Sequence, residues 1–189
     1  MKLLYSSIFF LMIYSFSNAQ AKFEKESRIS HKNVPIKAKT FVFKLAPSKK
    51  VRWYKEQSLD GESIEAKTSY NNKKYSIEFD TNGKLQDIEI NTKWNSINKN
   101  TITAIKKNIE FEFSKFKIKK IQTQYSGNKT DLLSYFKSGQ RNNITIKYEI
   151  VLKGKTKKGK QLFEMLFSET GMLEKSNIII FRNTDNIEF

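Results

Sequence analysis

The sequence predicts an α+β fold: two tandem α-β-β-β-β repeats, an antiparallel sheet with helices packed on one face and the other face open. Three observations carry this. Two segments with apolar residues at helical spacing, 34–45 and 97–109, each precede a series of period-2 segments. Residues 73–90 read as a hairpin in which Tyr75, Ile77 and Phe79 alternate with polar residues before Asn82-Gly83. Phe163, Met165, Phe167, Gly171 and Leu173 then echo Tyr75, Ile77, Phe79, Gly83 and Leu85 at a spacing of 88 residues, which marks an internal repeat.

Taken in order, residues 1–19 have the form of a signal peptide. Lys2 supplies a short positive start and Ile8–Ile13 an apolar stretch too short to span a bilayer. Ser17-Asn18-Ala19 places small residues where a signal peptidase reads, so Gln20 is the expected mature N-terminus. A retained membrane anchor is the alternative. Residues 20–33 are polar and charged and read as a flexible lead-in. Repeat 1 occupies 34–92, repeat 2 occupies 93–181, and 182–189 form a loose polar tail.

In repeat 1, Pro35 suits a first helical turn, with Asn33 a possible cap. Val34, Ala38, Phe41 and Leu45 fall on one helical face, and Ala46-Pro47-Ser48 ends the helix. Val51–Gln57 follows as a strand, with Val51 and Trp53 on one face and Arg52 and Tyr54 on the other. Asp60-Gly61 turns the chain into a second strand that presents Ile64, Ala66, Thr68 and Tyr70 on one side. Asn71-Asn72 leads into the hairpin. A two-residue Asn82-Gly83 loop sets Ile77 opposite Ile88 and Tyr75 opposite Ile90; a type I turn with Gly83 as a bulge is the alternative.

In repeat 2, Ile97, Ile102, Ile105 and Ile109 have helix-compatible spacing, with Asn95 or Ser96 as a cap, although Phe111 and Phe113 also suit extended chain. A strand within 116–125 carries Ile121, Thr123 and Tyr125 on one face. Residues 128–140 read as a long polar loop with an apolar knot, Leu132, Leu133, Tyr135 and Phe136. The longest strand runs from Ile144 to Leu152, a basic turn covers 154–159, and 162–181 form the second hairpin around Gly171.

The runs V-R-W-Y-K-E-Q, I-E-A-K, Y-S-I-E-F-D-T-N-G-K-L-Q-D-I-E-I, K-I-K-K-I-Q-T-Q-Y and L-F-E-M-L-F-S-E-T-G-M-L resemble PepSY-like exported proteins. That family is related in fold to the β-lactamase inhibitor protein, a tandem helix-plus-sheet repeat. The resemblance covers 32–181. It implies a periplasmic or secreted binding module, with a peptidase- or enzyme-inhibitor role of the kind proposed for some members.

The chemistry written into the chain is sparse. With no cysteine, disulfides, thiolate metal sites, a cysteine nucleophile and lipoprotein anchoring are all excluded. His31 is the one histidine and lies in the lead-in, which leaves neither a Ser-His-Asp arrangement nor a multi-histidine zinc site. Asp80, Asp87 and Glu89 are candidates for paired-carboxylate chemistry. Asp80-Thr81-Asn82-Gly83 echoes the start of a calcium loop without its later ligands, so a turn-forming aspartate is the plainer reading. No glycine-rich phosphate loop follows a strand. No enzyme activity, cofactor or metal is therefore expected.

A net charge of +16 points to an anionic partner, an envelope polymer or nucleic acid, or to nothing more than a solvated lysine-rich surface. Loss of Lys2 on processing would leave one basic residue fewer, +15. Only four of the 35 basic residues are arginines, which disfavours specific phosphate recognition and hence nucleic acid. A protein partner in the cell envelope is the first expectation. The strand phase turned away from the helices is the expected contact surface: Arg52, Tyr54, Glu65, Lys67, Glu78, Gln122, Gln124, Lys147 and Glu149, with Tyr54 as the aromatic anchor and Arg52 beside it. Trp53, Tyr70, Tyr75, Phe79, Tyr148, Phe163 and Phe167 fall on the core phase, whereas Trp94 is a second contact candidate.

Overall fold

A computed structural model describes residues 20–58 and 61–180. The signal segment, the Asp60 turn position and the 182–189 tail lie outside the described residues. Nine strands run in the order β1 (Gln20–Arg28), β2 (Val51–Ser58), β3 (Gly61–Tyr70), β4 (Lys73–Asp80), β5 (Leu85–Asn91), β6 (Phe116–Ser126), β7 (Thr145–Thr156), β8 (Gly159–Ser168) and β9 (Leu173–Ile180). Three helices join them: α1 (Ile36–Leu45), α2 (Lys99–Glu112) and α3 (Lys129–Ser138).

Every strand is hydrogen-bonded to its sequence neighbour in antiparallel fashion. A short parallel pairing of Gln20–Phe23 with Asn177–Ile180 then closes the sheet into a barrel. This corrects two expectations. Residues 20–28 are a strand rather than a flexible lead-in, and the sheet face away from the helices is not open. The reason is geometric: sheet twist accumulates along nine strands until the two edges meet, which removes exposed edge hydrogen-bonding groups.

The helices pack on the outside. Ala38, Phe41, Val42 and Leu45, spaced by three and four residues, press α1 against Trp53, Ile64, Ala66, Ile77 and Phe79. Phe79 is fully buried and meets Phe41 edge-on at 5.9 Å. On the other side Ile105, Ile109 and Phe113 cover Ile150, Leu152, Phe163, Met165 and Phe167. Asn98, rather than Asn95 or Ser96, caps α2 through its side chain, and residues 94–96 form a 3-10 turn ahead of it. Phe111 belongs to the helix, where it is 91% exposed.

Residues 128–140, expected as a loop, contain α3. Asn128 accepts hydrogen bonds from the Thr130 and Asp131 amides, and Gly139 ends the helix in the left-handed conformation. Leu132 is fully buried, and Tyr135 and Phe136 stack with Tyr125 and Tyr75 in the first core.

The two hairpin turns share one construction. Gly83 (φ +78°) donates to Asp80 O, and Gly171 (φ +88°) donates to Ser168 O, each at 2.9 Å. Each strand pair slips by one residue, at Glu78/Phe79 and at Leu166/Phe167. The Gly83-bulge alternative is therefore the one adopted, while Ile77 still faces Ile88 and Tyr75 faces Ile90. Asp80 Oδ1 accepts from the Asn82 and Lys84 amides, so this carboxylate is spent on its own turn rather than on calcium.

Candidate functional site

The inward phase of the strands carries an acidic lining. One cavity of about 120 Å³ sits inside the barrel. Eight carboxylates border it, and two ammonium groups, Lys67 and Lys120. β1 and β2 supply Glu26 and Glu56, and β3 and β4 supply Glu65 and Glu78. Asp87 and Glu89 come from β5, Glu149 from β7 and Glu164 from β8. Alternation explains most of this: Glu65, Glu78, Asp87, Glu89, Glu149 and Glu164 each neighbour apolar side chains on the opposite, helix-facing phase, so they are turned inward when the sheet closes, whereas Glu26 and Glu56 are placed by the pairing of β1 with β2.

Within the lining, Lys67 Nζ lies 2.6 Å from Glu26 Oε1 and 3.1 Å from Glu65 Oε2, and 4.9 Å from the centre of the Tyr54 ring. Ser76 donates to Glu65 Oε1. Burial alone would lower the Lys67 pKa; the flanking Glu65 and Glu26 overcome that and hold it above the usual lysine value. Burial raises the Glu65 carboxyl, against the pull of Lys67 and the Ser76 hydrogen bond. Glu89 is raised to about 8, first by burial and then by Asp87, with Glu164 and Glu65 adding to the rise and Lys120 opposing it. Gln124 Nε2 reaches Asp87 Oδ2 at 3.3 Å and Glu89 Oε1 at 3.4 Å.

The residues expected on an open face all lie on this concave phase, in different settings. Tyr54 is 7% exposed, buried under Lys67, and cannot serve as an exposed aromatic anchor. Glu65, Lys67, Glu78 and Glu149 border the cavity. Gln122 is 2% exposed, and Gln124 bridges Asp87 and Glu89. Lys147 pairs with Glu174 at 2.6 Å, and Arg52 remains exposed. Trp94 is half-buried on the outside, under the Lys106 ammonium.

Glu26 and Glu56 border the cavity without having been expected on that phase, whereas Lys120 and Glu164 lie on the phase that strand alternation assigns them, beside Gln122 and Glu149. Glu56 continues the same strand phase as Tyr54 and was legible in principle. Glu26 was hidden because its strand forms only by pairing with β2 and β9.

No protein-family model matches the chain, and neither does any curated protein. Solved structures do. A structure described as a periplasmic protein of Bacteroides eggerthii aligns with a TM-score of 0.50 at 10% identity, covering 77% of this chain and 88% of its own. A DUF2874 family protein from Bacteroides ovatus aligns at 0.50 and 12% identity, covering 77% and 87%. A BLIP-like protein from Bacteroides fragilis aligns at 0.49 and 15% identity, covering 82% and 92%. At these identities the likeness is one of fold: α+β, with helices outside a long, mainly antiparallel sheet.

Proposed function

We propose that the protein is an exported, non-catalytic binding module of two PepSY-like repeats, and that its acidic barrel interior receives a positively charged group of a protein partner in the cell envelope. The observation that carries this is the segregation of charge. Eight of the chain's 19 acidic residues border one cavity, against two of its 35 basic residues. Clustered carboxylates repel one another and are costly to desolvate, so such an interior attracts a cation. At about 120 Å³ the cavity suits an ammonium or ion-sized group and is small beside the usual 300–1,000 Å³ or so of small-molecule sites, which favours binding over turnover. Glu65, Glu78 and Glu149 border this cavity, Arg52 and Lys147 share its strand phase without bordering it, and Tyr54 lies under Lys67.

Export is supported by the Ser17-Asn18-Ala19 motif and agrees with the periplasmic description of one structural neighbour. The two-repeat reading is supported by the matching turns at Gly83 and Gly171. The test is capture from envelope extract by the wild type and by the triple variant Asp87→Asn, Glu89→Gln, Glu164→Gln. A partner held by the first and lost by the second supports the reading; equal capture by a folded triple variant contradicts it.

A second reading is favoured by the outer surface. Drawing acids inward leaves the exterior enriched in lysine, with Lys37, Lys44, Lys106 and Lys107 exposed on the outer helices. This surface would bind an anionic envelope polymer, and such binding would fall steeply with salt.

A further inference from the structure

We infer that the outer face of α1 docks on an anionic phospholipid surface, with Ile36 and Phe43 entering the bilayer interface and Lys37, Lys39 and Lys44 meeting the lipid phosphates. This face is separate from the acidic interior and from the partner bound there. A helix packed on a core ordinarily shows polar side chains to solvent. On α1 the core face is Ala38, Phe41, Val42 and Leu45, yet two residues opposite it are apolar: Ile36 is 75% exposed and Phe43 70%. They stand seven residues apart, close to two helical turns, so both rise from one crest about 10 Å apart along the axis. Thr40, also exposed, lies between them.

The charge around the crest shows what covers it. Residues 29–50, which hold α1 and the segments on either side of it, contain six lysines and no carboxylate. At about 100° per residue, Lys37 and Lys44 flank the crest on one side and Lys39 on the other. None of these three joins an ion pair among the described residues. The β4–β5 turn, whose Gly83 packs against Pro35 and Lys37, brings Asp80 to the start of the helix, together with Lys84, whose amide that carboxylate binds. An apolar pair inside a lysine rim matches an anionic leaflet, which offers phosphates at headgroup level and hydrocarbon beneath them. A second copy of this chain would set lysine rim against lysine rim. A hydrated anionic polymer gives Ile36 and Phe43 no apolar phase to enter. Phe111 is more exposed still, at 91%, but stands between Glu110 and Glu112 on α2, without a rim of one sign. It serves as the internal control.

The test uses the chain from Gln20 onward and vesicles of phosphatidylcholine with or without phosphatidylglycerol. Cosedimentation should show binding at least about tenfold tighter when phosphatidylglycerol is present. Ile36→Ser/Phe43→Ser should weaken that binding at least about tenfold, and Lys37→Gln/Lys44→Gln about tenfold. Phe111→Ser should leave it within about twofold of wild type. All these positions are exposed, so the variants should keep the wild-type circular dichroism. Because the chain has no cysteine, a single Phe43→Cys accepts an environment-sensitive fluorophore at one place. Its emission should shift to the blue on vesicle binding, while the same label on Phe111→Cys keeps its emission in water. Absence of a preference for the anionic vesicles overturns the docking face, and so does an unshifted label at position 43. Equal weakening by Phe111→Ser overturns the assignment to α1. Salt-sensitive binding that survives Ile36→Ser/Phe43→Ser intact overturns the insertion and leaves the lysines to an anionic polymer.

Discussion

The Lys67 ammonium lies 2.6 Å from Glu26 Oε1 and ties β3 to β1 across the intervening strand, inside the barrel. Its partner Glu26 belongs to the strand whose far end closes the sheet onto β9. Both side chains keep some contact with water, at 31% and 26% exposure, so the pair is worth more than a surface ion pair and less than a fully buried one. Lys67→Met should cost about 1–3 kcal/mol of unfolding free energy, because it leaves Glu26 and Glu65 facing each other uncompensated. Urea unfolding checks this, and a change below about 0.5 kcal/mol would show that the contact contributes nothing.

Glu89 makes stability depend on pH. Its folded-state pKa of about 8 stands above the ordinary 4.5. The folded chain therefore holds this proton more tightly than the unfolded chain. The stability so gained is fully present below about pH 4.5 and is lost as pH rises through about 8. Glu89→Gln should remove that loss and stabilise the protein at pH 8 by on the order of 4 kcal/mol relative to wild type, with little difference at pH 4. Paired unfolding curves from pH 4 to 9 test this; parallel pH profiles for the two proteins would contradict it.

Phe79 and Phe167 fill matching places beneath α1 and α2, and both are fully buried. Phe79→Ala and Phe167→Ala should each cost about 3–5 kcal/mol, read as a lower urea midpoint. Midpoints close to wild type would mean that the two cores are not built around these rings.

The turn glycines differ in what a side chain would meet. A Cβ at Gly171 would lie 2.7 Å from Thr101 O and 2.8 Å from Ala104 Cβ, besides the strain of φ +88°. At Gly139, φ is +75° and no atom lies within 4 Å. Gly139→Ala should cost about 1 kcal/mol from backbone strain alone, and Gly171→Ala distinctly more, because α2 must shift away. Equal thermal shifts in the two variants would show that the close approach to α2 costs nothing.

Strand phase was legible in the sequence because alternation is a local property. Ile77 and Ile88, Tyr75 and Ile90, and the inward set from Arg52 to Glu149 all take the faces that their spacing dictates. Closure was not legible, because it depends on β1, whose Gln20–Arg28 stretch has no apolar alternation and forms through backbone pairing to two other strands. The same omission turned an apparent open face into an interior and made the buried Tyr54 look like an anchor. The α3 helix was signalled by Asn128 with Asp131 three residues on and by Gly139 at its end, cues outweighed by its polar composition.

On the proposed function, the acidic interior rather than the lysine-rich exterior is the binding surface. Its most direct test is the affinity of a captured partner for three proteins at low and at physiological salt: the wild type, the Asp87→Asn/Glu89→Gln/Glu164→Gln variant, and a variant with Lys37, Lys44, Lys106 and Lys107 changed to serine. The interior variant is predicted to lose about a hundredfold or more, and the exterior variant to stay within about threefold of wild type at both salts. A collapse of binding in the exterior variant, deepened by salt, with the interior variant unchanged, would contradict the account.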